Sequence, residues 1–257
     1  MTHIYAGIQI KNSRPEFNWN KDDKKNDVLY LAKPSYGIEL IADIPVIYGY
    51  EYAKKRAFDE QKIIRDFIKS NADTSLDVFK FVETGIIHLN NMLPLDTIGY
   101  AVHPNSRSGK SLIDLMGDLL IDYSDAIISD FELVKETYQN VTFDADKASE
   151  ALRKRGLPER TIQDRINKTL KEFEEKKKTI EPFEIKLFTP RAIRSGFMNF
   201  LKFGSKDEEL VYKSLQGVRV LIYDDVSTSG NTLHEMNRYL TAINPNNELH
   251  SFVLLKQ

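Results

Sequence analysis

The 257-residue chain contains no cysteine and a single tryptophan. Without thiols there is no disulfide framework and no thiolate metal site. Long apolar runs are also missing, and none approaches the roughly 18 residues of a membrane-spanning helix. The first ten residues, MTHIYAGIQI, carry no basic segment followed by an apolar stretch, so no secretion signal is read there. Neither sign of charge is in excess: 36 basic and 38 acidic side chains leave a formal charge of −2. A nucleic-acid partner is therefore not indicated, since a basic excess is its usual footprint. These absences make a soluble, cytoplasmic protein the expectation, with no membrane contact. What the chain does have is 14 phenylalanines and 12 tyrosines, which exclude a disordered protein. Its length allows one or two domains with a sizeable core.

Along the chain, Tyr5 to Ile10 and Val28 to Ala32 read as short strands around a polar loop, Lys11 to Asp27. Tyr36 to Tyr52 is rich in β-branched and aromatic residues. Three- and four-residue apolar spacing predicts helices over Phe58 to Ile68 and Ser75 to Leu89. No chemistry stands out in these first 95 residues. Ile98 to His103 is a short apolar run, followed by a polar loop, Pro104 to Lys110, and a helix with Leu112, Leu115, Met116, Leu119 and Leu120 on one face. Residues 144–180 are dense in charge of both signs, with Gly156 and Pro158 dividing them into two helical pieces. Mixed charge suggests a solvated surface pair; the functional alternative is an inserted lid or an oligomer contact. Phe183 to Phe188 has a strand-like pattern, and a loop with Arg191 and Arg194 follows. Val218 to Tyr223 is a buried-type strand, Leu233, Met236, Leu240 and Ile243 mark an amphipathic helix, and Leu249 to Leu255 a last strand. The alternation predicts an α/β fold, a mainly parallel sheet flanked by helices. Ligands bind such sheets outside the carboxyl ends of the strands, where both polar loops fall.

The segment IYDDVSTSGNT, residues 222–232, carries the most chemistry. Two adjacent carboxylates at a strand end suit vicinal ribose hydroxyls, or Mg²⁺ held directly or through water. The hydroxyl-rich turn after them opens a helix, whose N-terminus favours a phosphate. An acidic strand end with an ordinary Ser/Thr cap explains either half alone. Both in this order point to a ribose phosphate.

VLIYDDVSTSGNT resembles the phosphoribosyl-diphosphate (PRPP) signature of type I phosphoribosyltransferases. IGYAVHPNSRSGKS, residues 98–111, stands where that family has its pyrophosphate loop, and with RSGFMNF (194–200) the order is similar to that of competence-protein-F-like members. The resemblance covers residues 96–257, leaving 1–95 as an N-terminal elaboration and about 144–180 as a charged helical insert. It implies that Asp224 and Asp225 hold the ribose, while Ser227, Thr228, Ser229, Gly230, Asn231 and Thr232 bind the 5′-phosphate. Ser106, Arg107, Ser108, Gly109 and Lys110 would meet the diphosphate, with Arg191 and Arg194 as candidate cations of a mobile loop. The implied activity is transfer of the phosphoribosyl group to a nitrogenous acceptor, with Mg²⁺ arriving on PRPP and a homo-oligomer as possible partner state. The Asp that 6-oxopurine enzymes carry two residues before the loop glycine is replaced by Thr228, which implies poor use of hypoxanthine and guanine. Changing either Asp224 or Asp225 to Asn should weaken PRPP binding tenfold or more without lowering the melting temperature.

Two other readings stay open. A non-catalytic PRPP or nucleotide sensor, or an interaction protein, would use the same pocket. Ser108-Gly109-Lys110-Ser111 also ends like a P-loop, with VLIYDD as its acidic strand. Pro104 stands where that loop needs its first glycine, and the acidic pair lies only 32 residues from the last residue. Of the histidines, His103 reads as structural and His234 as a surface residue.

Overall fold

A computed structural model describes residues 7–12, 14–19, 27–32, 38–41, 44–52, 58–105, 110–227 and 230–256. Its centre is a mainly parallel six-stranded sheet built from β5 (Ile44–Tyr52), β6 (Tyr100–Pro104), β7 (Ser129–Lys135), β10 (Leu201–Phe203), β11 (Arg219–Ser227) and β12 (Glu248–Lys256). The spatial order is β10-β7-β6-β11-β12-β5, with only the edge strand β10 antiparallel. Beyond β5 the sheet continues through antiparallel β3 (Asp27–Leu31), β1 (Gly7–Lys11) and β2 (Arg14–Asn18), while β4 (Ile38–Ile41) pairs with the start of β5. The expected polar loop of residues 11–27 thus contains β2. Its apolar content is low because it is an outer strand with one neighbour, β1.

The central strands show why their sequences are continuous apolar runs. Val220 and Ile222 of β11 enter one core cluster and Leu221 and Tyr223 the other, because successive side chains point to opposite faces. Helices α1 (Phe58–Ser70), α2 (Leu76–Met92) and α3 (Lys110–Asp122) cover the face of Leu221 and Tyr223. The face of Val220 and Ile222 is covered by α4 (Ala145–Arg153), α5 (Glu159–Lys176), α6 (Lys206–Ser214) and α7 (Asn231–Ile243). The described residues before 96 pack against the rest of the sheet and its helices. β5 hydrogen-bonds to β12, and α1, α2 and α3 share one core. The boundary near residue 95 marks where the sequence resemblance starts. Among the described residues no helix is long and apolar enough to cross a membrane.

The charged segment forms α4 and α5, as its breakers predict, but it is no freely solvated pair. Ala148, Leu152, Ile162, Ile166 and Phe173 are buried, and Phe173 lies among Tyr138, Phe143, Phe183, Phe188 and Phe197. The expected strand at Phe183 to Phe188 is instead a 3₁₀ turn over Ile185–Leu187. A strand would send Phe183 and Phe188 to opposite sides, whereas the turn brings both into the aromatic cluster and leaves Leu187 exposed. A second 3₁₀ turn, Arg191–Gly196, leads into β9 (Phe197–Met198), which pairs with β8 (Thr142–Phe143).

Gly196 sits where this turn meets the start of α4. A Cβ there would lie 2.6 Å from the Asp144 carbonyl oxygen and 2.9 Å from the Ala148 Cβ. Backbone cannot yield as a flexible side chain does, so Gly196→Ala is expected to cost about 1–3 kcal/mol. The midpoint of urea unfolding measures it; an unchanged midpoint would mean the contact is not tight.

Candidate functional site

The chain leaves β6 through α3 to reach β7 on one side, and leaves β11 through α7 to reach β12 on the other. Neighbouring strands whose connections diverge leave a crevice at their carboxyl ends, the usual ligand position in such sheets. The paired residues of β6 and β11 run only from Tyr100–Val220 to Val102–Ile222. Past that point Pro104 at the end of β6 and Asn105 just after it, with Asp224, Asp225 and Val226 of β11, line a cleft of about 780 Å³. That volume suits a small-molecule ligand.

Both carboxylates are buried, Asp224 at 8% and Asp225 at 4% exposure. Alternation along β11 sends them to opposite faces. The Asp225 backbone N–H donates to Asp224 Oδ1 at 2.8 Å. Burial, and then the neighbouring Asp225 charge, push the Asp224 carboxyl well above the usual carboxylate range. Asp225 forms a close ion pair with the ammonium group of Lys69 on α1. Lys69 belongs to a polar helical face, with Lys62, Arg65, Asp66 and Ser70, that forms one wall of the cleft. The opposite wall is Phe183 to Lys186 with Phe200, Leu201 and Lys135. There Glu184 pairs with Lys135 at 2.8 Å and with Lys186 at 3.6 Å.

At the start of α7, Gly230 caps the helix in the left-handed conformation, φ 68°, which favours a residue without Cβ. Among the described residues no side chain caps this end, and Thr232 reaches the cleft. Asn231 is partly buried, and its Nδ2 has no hydrogen-bond partner among the described residues. First-turn N–H groups without a side-chain acceptor are suited to an anion. α7 is fixed beside the far wall by buried Glu235, which accepts from the Phe200 N–H at 3.1 Å and pairs with Arg238 at 2.7 Å. Sequence reading passed over Glu235, since a lone acidic residue in an amphipathic helix gives no sign of burial.

The expected site residues are distributed as follows. Asp224, Asp225 and Thr232 share the cleft, with Gly230 and Asn231 at the helix start beside it. Ser227 ends β11 and Lys110 begins α3. Ser106, Arg107, Ser108, Gly109, Thr228 and Ser229 lie outside the described residues. Arg191 and Arg194 are not brought to the cleft. Arg194 instead donates to the carbonyls of Phe188 and Lys186, both at 2.9 Å, and so braces the 3₁₀ turns. His103 Nε2 lies 3.8 Å from Asp130 Oδ2, which also receives the Tyr223 hydroxyl. His234 is not a plain surface residue. It is half-buried, with Nε2 3.0 Å from Lys147 Nζ, and burial and then that ammonium hold its pKa below the usual range. The neutral ring accepts from Lys147.

The cations of α1 were missed because Lys62, Arg65 and Lys69 read only as the solvent face of an amphipathic helix. Their spacing of three and four was visible, but the site they face was not. No protein-family model matches the chain, and no curated protein is significantly similar to it.

Among the described residues, no three metal-ligating side chains converge.

Proposed function

We propose that the protein binds PRPP in the β6–β11 cleft and transfers its phosphoribosyl group to a nitrogen acceptor, releasing pyrophosphate. One observation carries this reading: a buried acidic pair and a glycine-opened helix start adjoin at the point where the sheet connections diverge. The ribose hydroxyls donate to Asp224 and Asp225, and the 5′-phosphate takes the N–H groups at the start of α7. The acceptor nitrogen forms its bond to C1′ with its lone pair as the C1′–O bond breaks. That bond's electrons leave on the diphosphate, and the acceptor's N–H proton is released. The acidic pair is well placed to offset positive charge developing on the ribose. Magnesium arriving on the diphosphate would supply charge neutralisation for the leaving group. A highly charged sugar phosphate does not cross membranes unaided, so this reading places the protein in the cytoplasm.

The test is thermal unfolding with PRPP and Mg²⁺, followed by a pyrophosphate-release assay over a panel of nitrogen heterocycles. PRPP at 100 times its dissociation constant should add about 2.7 kcal/mol of stability. A shift with ATP but none with PRPP would favour a P-loop-type nucleotide site. A PRPP shift without pyrophosphate release from any heterocycle would leave a binding protein.

A further inference from the structure

The ion pair between Lys69 and Asp225 joins residues 156 positions apart and lies inside the cleft. Only 15% of the Lys69 side chain and 6% of the Asp225 side chain is exposed. The contact therefore occupies the carboxylate that, on the function proposed above, has to receive a ribose hydroxyl. A buried carboxylate pair needs a counter-charge, and here the protein supplies its own. Lys62 and Arg65, seven and four residues earlier on the same helix face, also line the cleft. Their positive field opposes a bare metal ion approaching Asp225 and attracts a phosphorylated ligand.

We propose that Lys69 is an exchange cation. In the ligand-free protein it takes the place at Asp225 that a divalent ion would otherwise seek, and so keeps the acidic pair closed to free metal. A ligand that carries both hydroxyls and phosphate opens the pair. Its phosphate draws the Lys69 ammonium away, and its hydroxyls take over the carboxylate. A lysine suits this role, since its ammonium is a single charge on a flexible stem, without the two-point grip of arginine. Lys69 is thus a positioning residue that admits phosphorylated polyols and excludes bare cations.

The test uses the full chain at pH 8, with Mn²⁺ alone followed by electron paramagnetic resonance and ribose 5-phosphate followed by calorimetry. Lys69→Gln should bind Mn²⁺ at least tenfold more tightly than wild type. Equal Mn²⁺ affinity in the two proteins overturns the proposal. Lys69→Arg keeps the charge and preserves the fold if glutamine does not. It should exclude Mn²⁺ like wild type and bind ribose 5-phosphate about tenfold more weakly, because a two-point contact is harder to displace. Undiminished ribose 5-phosphate binding by that variant also overturns it. If wild type binds neither ribose 5-phosphate nor PRPP, the functional reading fails by itself, and the Mn²⁺ comparison still decides the role of Lys69.

Discussion

Asparagine at position 225 is expected to destabilise the ligand-free protein, and asparagine at position 224 to stabilise it. At Asp225 the change removes the carboxylate that pairs with the largely buried ammonium group of Lys69. Leaving one member of a buried pair behind is costly, and relief of the Asp224–Asp225 repulsion offsets part of that cost, so the net loss is about 1–3 kcal/mol. Among the described residues no cation forms an ion pair with Asp224, although the Lys69 charge acts on it from beside Asp225. The folded-state pKa of Asp224 is raised, first by burial and then by Asp225. A raised carboxyl contributes its full stability below the unfolded pKa, near pH 4 by rough reference values, and loses it as pH rises through the folded pKa. At pH 8 the wild-type protein therefore bears this penalty, and Asp224→Asn escapes it.

The amide can still accept the 2.8 Å bond from the Asp225 N–H, so the shape is kept. A gain of about 0.5–2 kcal/mol is expected at pH 8, fading towards pH 4. Both variants should bind ribose 5-phosphate at least tenfold more weakly, through loss of charge-assisted bonds worth roughly 1.5–3 kcal/mol each. Thermal unfolding across pH 4–8, with calorimetry at pH 8, measures all of this. A drop in melting temperature for Asp224→Asn at pH 8 would show that the carboxylate is held by structural partners. A rise for Asp225→Asn would show that Lys69 does not depend on it. The sequence alone predicts no loss for either residue, because Lys69 is not visible beside them in the chain.

Phe173→Ala is expected to cost about 3–5 kcal/mol, the usual range for emptying a buried aromatic site. Phe173 is 1% exposed and meets five other aromatic rings, from α5, in a segment that otherwise reads as solvated. For a chain of this size the melting temperature should fall by roughly 10 °C. Phe183 belongs both to this cluster and to the cleft wall, so ligand affinity should weaken even well below the melting temperature. Glu172→Ala is the matched control on the exposed side of α5. Its 3.8 Å pair with Lys168 is a surface contact, and the change should stay within about 0.5 kcal/mol. If Phe173→Ala costs no more than that control, the insert is a surface pair after all.

The sequence by itself determined the central strands, most helices and the acidic pair. Strands buried on both faces must be continuous apolar runs, as in Val220 to Tyr223. Helices that bury one face must repeat at three and four, as α2 and α7 do. These are local constraints, written into consecutive residues. The tertiary structure alone decided what each polar face meets. The same Lys62-Arg65-Lys69 pattern would serve equally on a solvated helix, and only the docking of α1 beside the end of β11 turns it into a cleft wall. Likewise β2 and the turn at Ile185–Leu187 follow from their neighbours, an edge of the sheet in one case and an aromatic cluster in the other. Burial of Glu235 and Phe173 and the counter-charge on Asp225 are long-range facts, fixed by residues tens of positions away. Pair energies of this kind depend on distance and desolvation in space, and neither is encoded in the spacing of residues along the chain.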